Sequence, residues 1–378
     1  MRSIRTLRQW IEQGRLRPGE PLPTDNDLVQ SLGVSRTTVR AAVRAIEQDG
    51  LLAYNAGRRR IVAGSPAKSG GMVSDTVVIL TNLWDAPAGN PAGSQTGWER
   101  YVQFALVDSI RKAGRHALIL HLDLLSSDLI MTLSEGRPRG LVIMHPDLLP
   151  RASMDLAIAL RDQGVPVVCY GFTDSAKFDV VFSDNESGSY ELTRWLIKSG
   201  RRRLLRVWPS NEDESIQEWQ RHRTLGYERA IAESGLESLP ILKLPYVWSR
   251  NVDSRTDFEI RVRLTVGYLL DQLSGANPVD ALMPITDSSC SVLAAACRLL
   301  GKIPNRDVAI AGYDNYWRDC PERQWEPTPP VATVDKLNLE VGRELMALLQ
   351  ARVEKKLPDE PQVRLIKPKL IVTGPADA

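Results

Sequence analysis

The sequence predicts an α/β protein in which a small N-terminal helical module with a hairpin precedes a two-lobed domain built on two doubly wound parallel sheets. Two observations predict this. Apolar residues recur at helical spacing up to residue 50, then give way to short continuous apolar runs separated by amphipathic stretches of about 10–18 residues. Charge divides at nearly the same place. Residues 1–64 hold 11 Arg, no Lys and 6 acidic residues, a net +5, whereas the rest of the 378-residue chain sums to −3. A basic module joined to a mildly acidic one points to nucleic acid at one end only.

In the first module, Ile4, Leu7, Trp10 and Ile11 mark a helix that Gly14 ends. RLRPGEPLP turns the chain toward a second start signal, Thr24 with Asp27, a capping-box pattern. Leu28, Val29 and Leu32 give this short helix its apolar side, Gly33 the turn, and Ser35 the cap of a third helix over residues 36–49. There Val39, Ala42, Val43 and Ile46 share one face. Arg36, Arg40 and Arg44 form a row on another, with Thr37 beside it. Residues 51–54 and 61–62 are expected to pair as strands, with Arg58, Arg59 and Arg60 at the tip. Such a helix can enter the major groove and such a hairpin can lie along phosphates. The Arg row also fits the solvated face of a small helical domain.

Residues 65–74, SPAKSGGMVS, read as a linker. The strand runs that follow are TVVILT (76–81), HALILHL (116–122), GLVIMH (140–145), PVVCYG (166–171), RLLRVW (203–208), DALMPI (280–285) and DVAIAGY (307–313). Between two of them, Leu192, Trp195, Leu196 and Ile197 mark an amphipathic helix. The expected domains are 1–64, the linker 65–74, and 75–373. Within the last, one lobe takes about 75–170 and 333–355, the other about 171–332 and 356–373.

Several classes are disfavoured. No apolar run approaches the ~20 residues of a membrane span. The N-terminus has no apolar stretch of the secretory kind, so a cytoplasmic protein without a membrane partner is expected. Cys169, Cys290, Cys297 and Cys320 lie in or near apolar segments, as reduced core thiols do. His116, His121, His145 and His222 show no metal-ligand spacing. No P-loop, nucleophile elbow or Gly-rich dinucleotide loop is present, so no cofactor and no enzyme activity are expected.

LRQWIEQGRLRPGEPLPTDNDLVQSLGVSRTTVRAAVRAIEQDGLL resembles the winged helix-turn-helix of the GntR family of transcription regulators. The resemblance implies DNA contacts from Ser35, Arg36, Thr37, Thr38 and Arg40, to which the Arg row and tip add Arg44, Arg58, Arg59 and Arg60. Asn26 stands where the family carries a second basic contact, and Arg59-Arg60 replace the usual Gly-Thr of the wing. VVFSDNESGSYELTRWLIKSGRRRL, HRTLGYERAIAESGL and DVAIAGYDN resemble the effector domain of the LacI family, which shares the periplasmic sugar-binding-protein fold. The combination is similar to arabinose-type repressors. It implies a homodimer on a double-stranded operator, with a small carbohydrate-like effector in the interlobe cleft. Arg223 and Asp314 are the implied ligand contacts, with Thr286 and Asp287 at the same mouth, Trp248 stacking on the ligand, and Asn82 and Trp84 from the other lobe. By residue type alone, Arg223 and Asp314 also fit an ordinary ion pair and Trp248 loop packing. A solute-binding protein or an unrecognised enzyme are the rival classes.

Overall fold

A computed structural model describes residues 2–12, 15–16, 20–48, 52–54, 60–62, 73–81, 99–121, 125–144, 151–171, 177–210, 217–245 and 254–374. The chain divides into two compact units, Met1–Thr76 with Glu135–Pro138, and Val77–Ser134 with Arg139–Ala378.

The first unit contains α1 (Arg2–Glu12), α2 (Asp25–Leu32), α3 (Arg36–Gln48), β1 (Leu52–Tyr54) and β2 (Arg60–Val62). Leu7, Leu28, Val39 and Ile46 are sealed from solvent at its centre, each contributing roughly 1.5–3 kcal/mol of burial. The capping box opens α2 as the sequence predicts: Thr24 N–H donates to Asp27 Oδ2 at 3.0 Å, and Asp27 N–H to Thr24 Oγ1 at 3.3 Å. Gly33 closes α2 in the left-handed conformation at φ 65°. Thr38 N–H donates to Ser35 Oγ at 3.2 Å, which starts α3. β1 and β2 are antiparallel, with Leu52 opposite Val62 and Tyr54 opposite Arg60. The segment around Pro21 adds to the free side of β2 through Leu22 N–H to Arg60 O and Val62 N–H to Glu20 O, both 2.9 Å. Pro21 itself has no N–H to lose there.

In the second unit, β3 (Thr76–Thr81), β4 (His116–His121), β5 (Gly140–Met144), β6 (Val167–Tyr170), β7 (Asp179–Ser183) and β13 (Val363–Ile366) form one sheet in the order β13-β7-β6-β5-β3-β4. Its strands read as unbroken apolar runs because both faces are covered. Val77, Ile79, Val142 and Met144 face α4 (Glu99–Lys112) and α11 (Asn338–Val353). Val78, Leu80, Leu141 and Ile143 face α5 (Ser127–Gly136) and α6 (Arg151–Asp162).

A second parallel sheet holds β8 (Leu204–Ser210), β9 (Leu242–Pro245), β10 (Ala281–Pro284) and β11 (Ala309–Ile310), in the order β11-β10-β8-β9. α7 (Asn185–Lys198) and α8 (Glu218–Glu233) cover one face, α9 (Arg255–Ser274) and α10 (Cys290–Leu299) the other. β12 (Ala332–Asp335) and β14 (Lys369–Val372) pair antiparallel, and the bridge from Ala311 to Ala332 attaches them beyond β11. The four cysteines are buried and free.

The lobe boundaries differ from the expected ones. β7 and β13 belong to the six-stranded sheet, so the chain crosses between lobes after Ser183, after Asp335 and after Ile366. The physical reason is Asp179, which opens β7 with a carboxylate. It accepts from Arg352 Nε at 2.6 Å, from Arg352 Nη2 at 2.8 Å and from Gln362 N–H at 2.7 Å. A polar strand start of this kind hides the strand from an apolar-run reading, yet it ties β7 to α11 and β13. The last residues of the expected linker also differ: Val73–Asp75 form a single 3-10 turn. Residues 65–72 lie outside the described residues.

α7 and α8 approach most closely at Gly226, where a Cβ would meet Glu186 O at 2.1 Å and Tyr190 N at 2.8 Å. Backbone on the facing helix cannot yield as a side chain can. Gly226→Ala is therefore expected to lower stability by about 1–3 kcal/mol, read as a lower urea midpoint. An unchanged midpoint would show that the helices separate at no cost.

Candidate functional site

The first candidate site is the exposed face of α3. Ser35, Arg36, Thr37, Thr38, Arg40 and Arg44 are all exposed, while Val39, Ala42, Val43 and Ile46 of the same helix are buried. Asn26, which departs from the GntR pattern, has a use here: its Oδ1 accepts from Arg36 Nη2 at 2.9 Å. Arg40 Nε donates to Asp25 Oδ2 at 3.0 Å. Both partners sit at the start of α2, so that helix holds the two guanidiniums in place. Ser35 and Thr38 face each other at 2.8 Å between hydroxyls.

Arg60 is not at the hairpin tip. It is the first residue of β2, and its guanidinium pairs with Glu47 of α3 at 3.3 Å. The Leu22 N–H bond to its carbonyl extends pairing to this residue, which explains why the strand starts one position earlier than the sequence suggests. Arg58 and Arg59 lie outside the described residues.

The second candidate site is a buried ionic cluster where strands of the smaller sheet end. Thr286 follows β10, Asp314 follows β11, and Lys336 follows β12; Arg223 reaches in from α8. Arg223 Nη2 lies 3.5 Å and Lys336 Nζ 2.9 Å from Asp314 Oδ1, with no side chain of the three more than 7% exposed. Thr286 donates to Asp314 Oδ2 at 2.8 Å and lies 3.0 Å from the Tyr316 hydroxyl. Arg223 is further anchored by Asn185 Oδ1 at 3.0 Å and Ile285 O at 2.5 Å, and lies 3.5 Å over the Tyr313 ring. The sequence-derived pair of Arg223 and Asp314 is thus brought together. Lys336, Asn185 and Tyr313 were not foreseen as its companions.

The turn carrying Asp314 is strained. Asp314 and its neighbour Asn315 have φ of 89° and 54°, each costing on the order of 1–3 kcal/mol. Asp287 holds this turn and does not face the cleft mouth, contrary to the expectation from sequence. Only 1% exposed, it accepts from Tyr316 N–H at 2.9 Å, Trp317 N–H at 3.2 Å and the Thr333 hydroxyl at 2.8 Å. These donors turn its carboxylate inward, and Gly312 is required beside it because a Cβ there would lie 1.9 Å from Asp287 Oδ1. Asn82, Trp84 and Trp248 lie outside the described residues.

Two charged groups at this site are shifted toward neutral pH. Burial, supplemented by the charge of Asp314 and opposed by the Thr333 hydrogen bond, lifts the Asp287 carboxyl to about 7. Burial chiefly, with repulsion from Arg223, lowers the Lys336 ammonium to about 8 against the attraction of Asp314. The folded state binds the Asp287 proton more tightly than the unfolded chain does. Its contribution to stability is therefore complete in acid and is lost as pH rises through about 7. Asp287→Asn keeps an acceptor for the two N–H groups. Relative to the parent, it is expected to gain urea stability between pH 5 and pH 7.5; a constant difference would contradict the shift.

Residues 4–62 match the family described as bacterial regulatory proteins, gntR family, and residues 193–374 match the periplasmic binding protein-like domain. The chain is 25% identical to the HTH-type transcriptional repressor PurR of Vibrio parahaemolyticus over 247 residues, 65% of this chain and 66% of that relative. It thus spans just under two thirds of that relative's length. Among solved structures, a regulatory protein of the LacI family from Chloroflexus aggregans superposes with a TM-score of 0.60 at 23% identity, covering 81% of this chain and 99% of the other. The transcriptional regulator CelR in complex with cellobiose does so with a TM-score of 0.58 at 19% identity, covering 93% and 99%. These likenesses carry the fold. The chain joins a gntR-family helix-turn-helix domain to a periplasmic-binding-protein-like domain with the fold of LacI-family regulators.

Proposed function

We propose that the protein is a sequence-specific DNA-binding transcription regulator, a repressor, whose operator affinity is set by a small carbohydrate-like effector held by Arg223, Asp314 and Thr286. The observation that carries this reading is the buried Arg223–Asp314 pair at the strand ends of one unit, in a chain whose other unit exposes an Arg row on its third helix. An Arg and an Asp side by side offer the complementary donors and acceptors that vicinal hydroxyls need. CelR, of the same fold, is named as a cellobiose complex, which supports a sugar-like ligand. Arg36 and Arg40 read base edges from the N-terminal half of α3, and Ser35, Thr37, Thr38, Arg44 and the wing arginines contact phosphates. A solute-binding protein or an enzyme has no use for that helix face. The protein acts in the cytoplasm, where the operator is.

Such a regulator works as a homodimer, because two heads on a pseudo-palindrome multiply weak half-site affinities. The edge strand β4 and the adjoining α4 supply a suitable face. Phe104 is 68% exposed and Ile119 43%, with Tyr101 and Leu118 also exposed. Among the described residues β4 ends its sheet, and an edge strand carrying large apolar side chains is a pairing surface. Phe104→Glu combined with Ile119→Glu is expected to give monomers in sedimentation and weaker operator binding. Persistence of the dimer would move the interface elsewhere.

The reading as a regulator is tested by mobility shift on an operator selected from random DNA. Arg36→Ala and Arg40→Ala should each weaken binding by about 1–3 kcal/mol and relax specificity at one position. Asp314→Ala should bind operator like the parent yet ignore effector at concentrations that saturate the parent. Unchanged operator affinity in both Arg variants removes them from the reading face. A parental effector response in Asp314→Ala places the effector elsewhere.

A further inference from the structure

We propose that the effector is acidic, a polyhydroxylated body bearing a carboxylate or a phosphate, and that Lys336 together with Arg223 receives the anionic group. This rests on the effector-site reading above and adds the charge of the ligand. Two buried cations converge on one carboxylate oxygen: Arg223 and Lys336 both approach Asp314 Oδ1, while Thr286 donates to Oδ2.

Three of the neighbouring acids are hydrogen-bonded elsewhere. Asp287 is taken by Tyr316, Trp317 and Thr333, Asp335 by Asn315 and Leu337 N–H, and Asp184 by Ser187 N–H. Glu99, in the first turn of α4, attracts the ammonium, but less strongly than Arg223 repels it. Burial chiefly, with repulsion from Arg223, holds the Lys336 ammonium at about 8. A bound anion favours the charged ammonium, and a neutral sugar does not.

Geometry suits the same ligand. Arg223 has five N–H donors. Nε and Nη1 each make one hydrogen bond to protein, and the ion pair with Asp314 is loose at 3.5 Å. A guanidinium fork with an ammonium beside it binds carboxylate or phosphate oxygens through charge-assisted hydrogen bonds. Asn315 Oδ1, buried without a hydrogen-bond partner among the described residues, is an acceptor suited to a ligand hydroxyl. Lys336 titrates near the working pH, so binding an anion draws a proton onto it. Affinity then falls as pH rises through about 8.

The test is calorimetric titration of the full-length protein with glucose, gluconate and glucose 6-phosphate, and with arabinose, arabinonate and arabinose 5-phosphate. The expected result is at least tenfold tighter binding of one acidic member than of its neutral parent at pH 7, with proton uptake at pH 8 in buffers of differing ionisation heat. That preference should shrink at pH 9. K336Q should erase it and K336R retain it, so that a loss of fold in K336Q is not mistaken for a loss of recognition. Whether the gluconate-type or the phosphate-type member wins identifies the anionic group. The proposal is overturned if neutral sugars bind as tightly as their acids, if no acidic member binds, or if the preference survives K336Q. A neutral sugar that needs Arg223 and Asp314 but ignores K336Q sinks the acidic ligand and leaves the effector site standing. A ligand indifferent to R223Q and D314N sinks both.

Discussion

Two cations and a hydroxyl meet at the Asp314 carboxylate inside the protein, and much of the larger unit is arranged to bring those groups to one point. In a parallel sheet the carboxyl ends of all strands lie along one edge, which is where ligands bind in open α/β folds. Thr286, Asp314 and Lys336 each follow a strand, and α8 delivers Arg223 to the same edge. Removing one member leaves the others buried without compensation, which typically costs about 3–5 kcal/mol. The residues are therefore constrained by one another as much as by any ligand. The strained backbone of Asp314 and Asn315 is kept in place by Asp287, whose carboxylate takes the two N–H groups that follow.

The cluster also touches two of the three places where the chain crosses between lobes. Arg223 donates to Asn185, just past the first crossing, and Lys336 lies on the second. A ligand that competes for Arg223 or Lys336 acts directly on segments that join the lobes. Only differential affinity for two lobe arrangements can shift their populations. Reversing a 1:99 equilibrium takes roughly 5.5 kcal/mol. One uncharged hydrogen bond, at about 0.5–1.5 kcal/mol, falls far short of that. Repartnering of buried charges is of the required size.

The fold was legible because its main signals are local. Seven apolar runs became strands, and the capping box at Thr24 and Asp27 closed as its spacing implied. What escaped was whatever long-range contact decides. β7 begins with an aspartate whose partners lie on α11 and next to β13, and β9, β12, β13 and β14 are short strands without a long apolar run. The Arg223–Asp314 pair was legible only through family resemblance, since nothing local links two residues so far apart in sequence. Asp287 was misplaced because a strand-end acid reads the same whether it faces a cleft or the backbone of a neighbouring loop. Lys336 escaped because a single lysine after a strand is ordinarily solvated.

The two candidate sites illustrate opposite uses of arginine. Arg36 and Arg40 are exposed and each is held by a side chain at the start of α2, in the pairing of Arg40 with Asp25 a contact whose Arg side chain is 64% exposed. An exposed pair of that kind is worth about 0–1 kcal/mol. It can orient a guanidinium in free protein and be surrendered to a base edge or phosphate at little cost. Arg223 is held by Asn185, Ile285, Asp314 and the Tyr313 ring in a site from which water is largely removed. Nothing there can be surrendered without replacement in kind. The exposed row thus suits a surface that must bind and release a long polyanion. The buried cluster suits a site that must discriminate among small molecules by charge, because only a ligand restoring the lost contacts can enter without penalty.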